Sequence, residues 1–228
     1  MANSNGSNQT RRASIHRLRR LDTCAVSDAM DQLKIRGAVT GLRAVSVMRR
    51  IAGRVVTVEL AKANGTKPKR HLCTAAVDAS GRGDVIVVAH GGRLDVAGWG
   101  GILSLGAWRR AIEGVVIDGA CRDVDESVEL DLPIYARATV PITARGRVVE
   151  TSWNEPIRVG GLTVCPGDLV LADGSGVVFL PAAHAQAILD IAEQIDAREA
   201  AMAAAVRAGK PLAEVMNSSY EDLAGKQP

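Results

Sequence analysis

A short charged segment near the middle of the chain carries the residue types best suited to chemistry. Arg122 and Asp123 are adjacent in "GACRD", and Glu126 follows on the C-terminal side. The planar guanidinium of Arg122 can bind a carboxylate or an enolate oxygen in a bidentate manner. The carboxylate of Asp123 is a hard oxygen ligand of the kind that suits Mg²⁺ or Mn²⁺. The segment therefore predicts a site for a small anionic substrate beside a divalent metal ion.

A glycine pair earlier in the chain forms the other half of the predicted site. Gly100 and Gly101 carry no side chains, so a ligand can approach their backbone closely. The sequence predicts that a helix opens here, and the free N–H groups of a helix N-terminus attract a carboxylate or a phosphate. The N–H groups of residues 101–103 are therefore expected to bind an anionic group.

The elements around these two segments have the pattern of a β-α-β unit. The apolar runs "VIVVAH" at 85–90 and "VVID" at 115–118 are typical of strands buried on both faces. Between them the sequence predicts a glycine-rich loop at 91–101 and a helix at 102–113. Such a unit places two parallel strands side by side with a right-handed crossover. Since ligands bind beyond the carboxyl ends of such strands, the glycine pair and the charged segment should meet in space.

The flanking segments complete an α/β pattern. Helical spacing and strand-like runs alternate in the first half, a β-rich section with tight turns follows, and an alanine-rich helix comes last. The predicted elements are a helix at 24–33, a strand at 52–60, a short helix at 71–80, the β-rich section at 138–181 and a long helix at 182–209.

Composition is that of a soluble globular protein with an uneven charge. The chain has 228 residues, of which 47% are hydrophobic, and a formal net charge of +3. Five arginines fall within residues 11–20 and no acid falls within residues 1–20. We predict a flexible basic arm at 1–20, disordered over its first ten residues, and one domain at 21–228. A solvated arm is favoured over a nucleic-acid or membrane contact.

The cysteines and the hydropathy pattern point to the cytoplasm. The four cysteines are scattered without a CxxC pair, which disfavours a zinc site and a disulfide scaffold. No apolar segment resembles a signal peptide, and no run is long enough to span a membrane.

The charged segment also has a purely structural interpretation. In "DVDE", Asp123 could be a helix N-cap and Glu126 could reach back to complete a capping box, which would leave Arg122 on the surface. Nucleotide binding is poorly supported, because Leu103 stands where GxGxxG needs its third glycine and Gly106 precedes Ala-Trp rather than the Lys-Ser/Thr of a P-loop.

Other polar residues are weaker candidates. His90 ends a predicted strand and could act as an acid or base, although a structural role is favoured. Asp95 could make a polar contact from the glycine-rich loop, and His71 beside "KPKR" could attract an acidic substrate, although a solvated loop is favoured. Ser104 lies in no GxSxG context, so a serine hydrolase is not expected.

Six segments in order resemble the RraA-like family over about residues 22–222. They are "VSDAM", "GDVIVVAHGG", "AGWGGILSLGAWRRAIEGVVIDGACRD", "PITARGR", "NEPIRVGGLTVCPGDLVLADGSGVVFLP" and "YEDL". This family includes 4-hydroxy-4-methyl-2-oxoglutarate/4-carboxy-4-hydroxy-2-oxoadipate aldolases and the regulator of ribonuclease E activity A.

The resemblance implies both a fold and a set of residue roles. The fold is an α/β, swivelling β/β/α-type single domain, here with an N-terminal extension and a C-terminal helix. By resemblance, copies would form a homotrimer or homohexamer with active sites at subunit interfaces, which in this family are often completed by an acid from a neighbouring C-terminal helix, here Glu193 or Glu199. By the same resemblance, Arg122 would bind the keto oxygen that becomes the enolate, and Asp123 would hold the divalent metal. The pyruvyl carboxylate would be held by the backbone of Gly100, Gly101, Ile102 and Leu103.

One departure from the family affects the expected reaction. Its aldolases commonly carry an acid where this chain has Gly101, and that acid assists proton transfer. Glu126 is the candidate to supply the missing carboxylate to the metal shell, since it would share a helical face with Asp123.

The sequence thus predicts a divalent-metal-dependent C–C lyase. Its substrate is a 2-oxo (di)carboxylic acid, and its chemistry is aldol cleavage or β-decarboxylation through a pyruvate enolate. The alternatives are a non-catalytic regulator that binds a ribonuclease or helicase, and a relative with altered decarboxylase chemistry on an intermediate of aromatic catabolism.

Overall fold

A computed structural model describes residues 3–65 and 70–216. The helices are α1 (Asn3–Leu18), α2 (Thr23–Gln32), α3 (Thr74–Ala79), α4 (Gly101–Arg109), α5 (Val124–Glu129), α6 (Ala185–Arg207) and α7 (Leu212–Val215). The strands are β1 (Ala38–Val39), β2 (Arg43–Ala44), β3 (Ile51–Lys62), β4 (Asp84–Ala97), β5 (Gly114–Cys121), β6 (Ile134–Thr139), β7 (Val148–Trp153), β8 (Ile157–Val159), β9 (Leu162–Val164), β10 (Leu169–Asp173) and β11 (Gly176–Leu180). None of the helices in these ranges is long and apolar enough to cross a membrane.

One mixed sheet organises the domain. Its strand order is β1-β11-β10-β3-β4-β5-β6-β2, and β7 pairs with β3 outside that path. The four central strands β3, β4, β5 and β6 run parallel, whereas the outer pairings are antiparallel. The predicted parallel β-α-β unit is confirmed as β4-α4-β5. The predicted α/β single domain with a C-terminal helix, α6, is confirmed as well.

The central strands are buried on both faces, which explains their unbroken apolar sequence. Successive side chains of a strand point to opposite faces. Val85 and Val87 therefore pack with the β8-β9 hairpin, and Ile86 and Val88 pack with α3 and α4. A third cluster joins α2 and α6 to β10 and β11. Because both faces are covered, the edge formed by the carboxyl ends of the parallel strands remains the place for a ligand.

The N-terminal segment differs from the predicted flexible arm. Residues 3–18 form α1, and its Ile15 and Leu18 belong to the cluster shared by α2 and α6. Arg17 donates from Nε to Glu193 Oε1 at 2.7 Å and from Nη2 to Asp190 Oδ1 at 2.7 Å, which ties α1 to α6. Composition predicted disorder because the segment itself contains no acid. It cannot show that acids far away in the sequence, on α6, pair with Arg17.

The predicted glycine-rich loop at 91–101 is also shorter than expected. Strand β4 continues to Ala97, with two register shifts against β5. Gly91 and Gly92 have φ angles of 64° and 67°, which glycine adopts at little cost, and they allow the strand to bulge and continue. Only residues 98–100 connect β4 to α4, and α4 ends at Arg109 rather than at 113.

The remaining predicted elements are confirmed with small changes of boundary. They are α2, β3, α3 and α6, and the β-rich section contains β7 to β11. The side chain of Asp22 caps α2 by accepting from Ala25 N at 2.8 Å. Cys24 is exposed, Cys165 is half-buried, and Cys73 and Cys121 are buried; all four carry free thiols. The "YEDL" segment and Lys67 to Lys69 of "KPKR" lie outside the described residues.

Replacing Arg17 with alanine should loosen α1 from α6. Because the pair is partly exposed, we expect the free energy of unfolding to fall by at most about 1 kcal/mol. Hydrogen–deuterium exchange of the amides of α1 should rise measurably. Arg12→Ala is the matched control, since Arg12 is exposed on the same helix.

The same contact has a defined pH dependence. The hydrogen bond from Arg17 lowers the pKa of Glu193 below its ordinary value of 4.5. A carboxyl with a lowered pKa stabilises the folded state above its unfolded pKa, and this stabilisation is lost as the pH falls through the folded value. Equal exchange in α1 for the wild type and Arg17→Ala at neutral pH would contradict the docking.

Candidate active site

The structure brings the glycine pair and the charged segment together at the carboxyl ends of β4 and β5. Gly101 N donates a hydrogen bond of 2.9 Å to Asp123 Oδ2, across the gap between the start of α4 and the end of β5. Arg122 N donates to Trp99 O at 3.1 Å, and Gly98 N donates to Ala120 O at 2.8 Å. These bonds extend the pairing of the two strands beyond the sheet and fix both segments relative to each other.

Gly100 and Gly101 are required by space rather than by backbone conformation. Gly100 has an extended φ of −159°, and Gly101 is not among the glycines with positive φ. A Cβ on Gly100 would lie 2.7 Å from Asp123 Oδ2, and a Cβ on Gly101 would lie 1.5 Å from Glu126 Oε2. The prediction that a ligand uses this space is therefore incomplete, because the chain's own carboxylates occupy part of it.

Asp123 adopts a left-handed backbone conformation. Its φ of 56° and ψ of 46° are left-handed, a region that Asp tolerates better than most residues. It stands at the N-cap of α5, but its side chain makes no capping bond there and reaches back to α4 instead. The capping-box interpretation of "DVDE" is therefore wrong. Non-glycine residues held in this region cluster at active sites and ligand clamps.

Arg122 and Asp123 lie against each other and remain accessible. Arg122 Nε is 3.3 Å from Asp123 Oδ2, and the two side chains are 38% and 32% exposed. Within the described part of the chain no residue donates to Asp123 Oδ1, so this oxygen can meet a ligand.

Fewer backbone donors are available at the start of α4 than the sequence predicts. Gly101 N is used by Asp123, and Leu103 N donates to Gly100 O at 3.1 Å. Of the three predicted N–H groups, only that of Ile102 has no partner among the residues described. The side chain of Ile102 is 83% exposed.

A buried chain of hydrogen bonds supports Asp123 from beneath. Trp99 Nε1 donates to Ser104 Oγ at 2.9 Å, Ser104 Oγ lies 2.9 Å from Ser127 Oγ, and Ser127 Oγ donates to Asp123 O at 3.2 Å. An indole N–H can only donate and a carbonyl can only accept, so all three bonds point toward Asp123. Ser104 is thus a positioning residue, consistent with the absence of a serine hydrolase motif. The sequence analysis missed Trp99 and Ser127, which no motif marks.

The site opens into a cavity of about 350 Å³. Gly100, Gly101, Ile102, Leu103, Arg122 and Asp123 all line it. Glu126 does not line it; this exposed residue of α5 places its carboxylate against Gly101. The cavity is also lined by residues that the sequence analysis did not assign to the site, and the polar ones include Arg70, Thr74, Thr143, Arg145 and Glu150.

One wall of the cavity is held by a buried carboxylate. The side chain of Glu150 is 2% exposed, and it accepts hydrogen bonds from Cys73 N at 2.6 Å and from Arg70 Nε at 2.8 Å. The Arg70 guanidinium also lies 6.0 Å from the centre of the Trp153 ring. His71 lines the cavity as well, so it is more than part of a solvated loop. "PITARGR" and the end of "KPKR" were the only sequence signals for this wall.

His90 and Asp95 lie outside the cavity lining. His90 is 1% exposed, its Nε2 lies 2.9 Å from Val96 O, and burial lowers its pKa, so its surroundings are those of a structural histidine. Asp95 forms hydrogen bonds with Arg93, which lower its pKa to about 2.

The described residues offer few protein ligands for a divalent ion. Among residues 3–65 and 70–216 no group of three or more His, Cys, Asp or Glu side chains could hold a metal. A closed, all-protein site is therefore not formed by the described residues of one copy. Mg²⁺ commonly binds through one or two carboxylates and completes its shell with water and substrate oxygens. Asp123, with Glu126 near it, fits that pattern.

Comparison with known proteins identifies the family and agrees with the fold. The family model described as "RraA-like: Aldolase/RraA" matches residues 23–179. A Deinococcus radiodurans protein named "Putative 4-hydroxy-4-methyl-2-oxoglutarate aldolase" is 35% identical over 162 residues, which cover 71% of this chain and 96% of that protein. Protein DlpA of Legionella pneumophila is 26% identical over 91% of this chain, but this chain spans only 33% of its length.

A solved structure shares the architecture. The crystal structure of Streptomyces coelicolor RraAS2, described as an unusual member of the RNase ES inhibitor RraA protein family, superposes with a TM-score of 0.72 at 26% identity. The match covers 82% of this chain and 93% of that one. Its fold, the family match over most of the domain and the similarity to the aldolase-named protein lead to one conclusion: the chain belongs to the RraA-like family.

Proposed function

We propose that this protein is a divalent-metal-dependent lyase that breaks a C–C bond of a 2-oxo (di)carboxylic acid through a pyruvate enolate. The observation that carries the proposal is the convergence of Arg122 and Asp123 on the start of α4 at the mouth of one cavity. Relatives with aldolase names support the reaction class. The direct test is release of pyruvate from a panel of 2-oxo acids, measured with and without Mg²⁺.

The chain's own residues bind and orient the 2-oxo acid. Arg122 offers a planar pair of N–H donors to the keto oxygen and strengthens this contact as negative charge develops there. The N–H of Ile102, at the positive end of α4, receives the carboxylate. Asp123, with Glu126 as a second candidate ligand, would hold Mg²⁺ or Mn²⁺, which when bound supplies Lewis-acid polarisation of the substrate.

Glu126 is the acid best placed to replace the one missing at Gly101. Its Oε2 lies 1.5 Å from where the Cβ of residue 101 would stand, so its carboxylate occupies the space of that absent side chain. Aldol cleavage must remove the proton of the 4-hydroxyl group, whereas β-decarboxylation of an oxaloacetate-like acid has no such step. Because Glu126 does not line the cavity, its carboxylate is less well placed to take that proton, and we expect decarboxylation to be better retained than aldol cleavage.

The assembly expected for the family fits one feature of the surface. Ile102, Leu105 and Trp108 form an exposed apolar row along α4, and Val128 of the adjacent α5 is exposed too. We propose that copies of the chain meet near this row as a trimer or hexamer. Of the two acids expected from a neighbouring copy, Glu199 is the better candidate, since Glu193 is bound to Arg17.

A second candidate function is that of a non-catalytic regulator. The observation in its favour is the structural likeness to RraAS2, a protein of the RNase ES inhibitor family. A regulator needs neither a free Asp123 oxygen nor a divalent ion. Pyruvate release that requires Mg²⁺ and Asp123 would therefore exclude this alternative as the sole function.

Asp123→Asn should strongly reduce the turnover that depends on Mg²⁺ or Mn²⁺. We expect a loss of about 10²–10³ in kcat, the usual cost of one well-placed electrostatic group. Asparagine also tolerates the left-handed backbone, so this variant separates lost charge from the additional strain of Asp123→Ala. Circular dichroism should show an unchanged fold, and pyruvate release gives the rate. Wild-type activity in excess EDTA would contradict metal dependence.

Arg122→Lys should lose most of the activity although it keeps the charge. Lysine cannot offer two coplanar N–H donors, so the loss reports on the geometry of the guanidinium. Steady-state kinetics on oxaloacetate should show a fall in kcat/KM of at least about tenfold, the equivalent of one charged hydrogen bond. Equal rates for the two proteins would mean that Arg122 supplies only a general positive field.

Gly101→Asp and Glu126→Ala should each reduce activity more when made alone than when the two changes are combined. The new Asp side chain collides with the Glu126 carboxylate, and Glu126→Ala removes both the collision and the repulsion. We expect the double variant to have a higher ratio of aldol cleavage to decarboxylation than the wild type, because its carboxylate stands where the aldolases have theirs. Both substrates, 4-hydroxy-4-methyl-2-oxoglutarate and oxaloacetate, are assayed on all four proteins. Simple additivity would show that Glu126 does not share this space in solution.

A further inference from the structure

A tight turn at 143–147 borders the cavity and presents Arg145 to it. Ala144 O accepts hydrogen bonds from Arg147 N at 2.8 Å and from Val148 N at 2.9 Å. Thr143 Oγ1 accepts from Arg145 N at 3.2 Å, and Gly146 supplies the positive φ of 72° that the turn requires. The backbone of Arg145 is therefore fixed although its side chain is exposed.

The charges around the cavity are unequally compensated. Arg70 is paired with Glu150 at 2.7 Å, and Arg122 lies 3.3 Å from Asp123. Arg145 also lines the cavity, but no carboxylate within the described ranges lies within 4.0 Å of its guanidinium. Of the three arginines that line the cavity, Arg145 is thus the one without a carboxylate partner among the described residues.

Arg145 and Arg122 reach the cavity from different parts of the fold. Arg122 follows β5, whereas Arg145 lies in the turn before β7, and β7 pairs with β3. A cavity of about 350 Å³ is within the range of small-ligand sites and exceeds what a pyruvyl group alone would fill. A substrate whose 2-oxo group lies at Arg122 therefore extends toward the other walls.

We propose that Arg145 is a specificity-determining residue that binds an anionic group at the end of the substrate remote from its 2-oxo acid. This inference rests on the proposed function for the placement of the 2-oxo acid at Arg122. Arg145 selects substrates with a second carboxylate, because a guanidinium without a carboxylate partner binds an anionic group more strongly than an apolar or neutral one.

The test compares two acids of equal chain length, 2-oxoglutarate and 2-oxopentanoate, which differ only in the distal carboxylate. Their dissociation constants are measured by calorimetry in the presence of Mg²⁺. The wild type should bind 2-oxoglutarate at least about tenfold more tightly, as expected for one charge-assisted hydrogen bond. Arg145→Gln should reduce this ratio to near one by weakening 2-oxoglutarate alone, and Arg145→Lys should keep part of it.

Arg147→Gln is the matched control. Arg147 lies in the same turn and loses the same charge, but it does not line the cavity and donates to Thr143 O at 3.3 Å. It should keep the wild-type ratio. The proposal is overturned if the wild type binds neither acid or binds both equally, if Arg145→Gln keeps the ratio, or if Arg147→Gln abolishes it.

The calorimetric ratio needs no turnover, so the two proposals fail separately. If the ratio of dissociation constants depends on Arg145 but no Mg²⁺-dependent release of pyruvate is found, the lyase proposal is refuted and the carboxylate subsite is supported. If pyruvate is released but the ratio of the two dissociation constants does not change in Arg145→Gln, the lyase proposal is supported and the carboxylate subsite is refuted.

Discussion

The hydrogen bond from Gly101 N to Asp123 Oδ2 is the contact on which the geometry of the candidate site depends. It joins the start of α4 to the end of β5 across 2.9 Å, and it fixes Asp123 in its left-handed conformation. It also explains Gly100, because a side chain there would collide with the accepting oxygen, whereas a side chain at Gly101 would collide with Glu126. One backbone amide thus orients the carboxylate, places Arg122 beside it, and leaves the other carboxylate oxygen toward a ligand.

The protein supports this contact with a buried polar chain inside an apolar core. The bonds from Trp99 through Ser104 and Ser127 to the carbonyl of Asp123 have one possible direction, since the first group only donates and the last only accepts. Trp99, Ser104 and Ser127 are almost fully buried, so breaking any bond would leave an unsatisfied polar group at substantial cost. The fold therefore stabilises a strained residue by over-determining its surroundings.

One wall of the cavity carries an arginine paired with a carboxylate, and another carries an arginine without such a partner. Glu150 neutralises Arg70 and fixes the start of α3, whereas Arg145 keeps its charge for a ligand. Glu126 occupies the space above Gly101, so a carboxylate is present there although the residue type at 101 provides none. The charge near Gly101 is therefore set by the folding of α5 against α4, and not by the residue type at position 101.

The sequence by itself determined the parallel β-α-β unit, because strands buried on both faces must be apolar throughout and a glycine-punctuated crossover must join them. It also determined that Arg122 and Asp123 lie at the ligand-binding edge, since that edge is set by chain direction. Only the tertiary structure decided that α1 is docked, because Arg17 finds its acids on α6. Only it decided that Asp123 bonds to α4 rather than capping α5, and that Arg70, Arg145 and Glu150 share the cavity. Local periodicity reports which face of an element is buried, but a contact between segments far apart in the chain depends on packing that no local pattern contains.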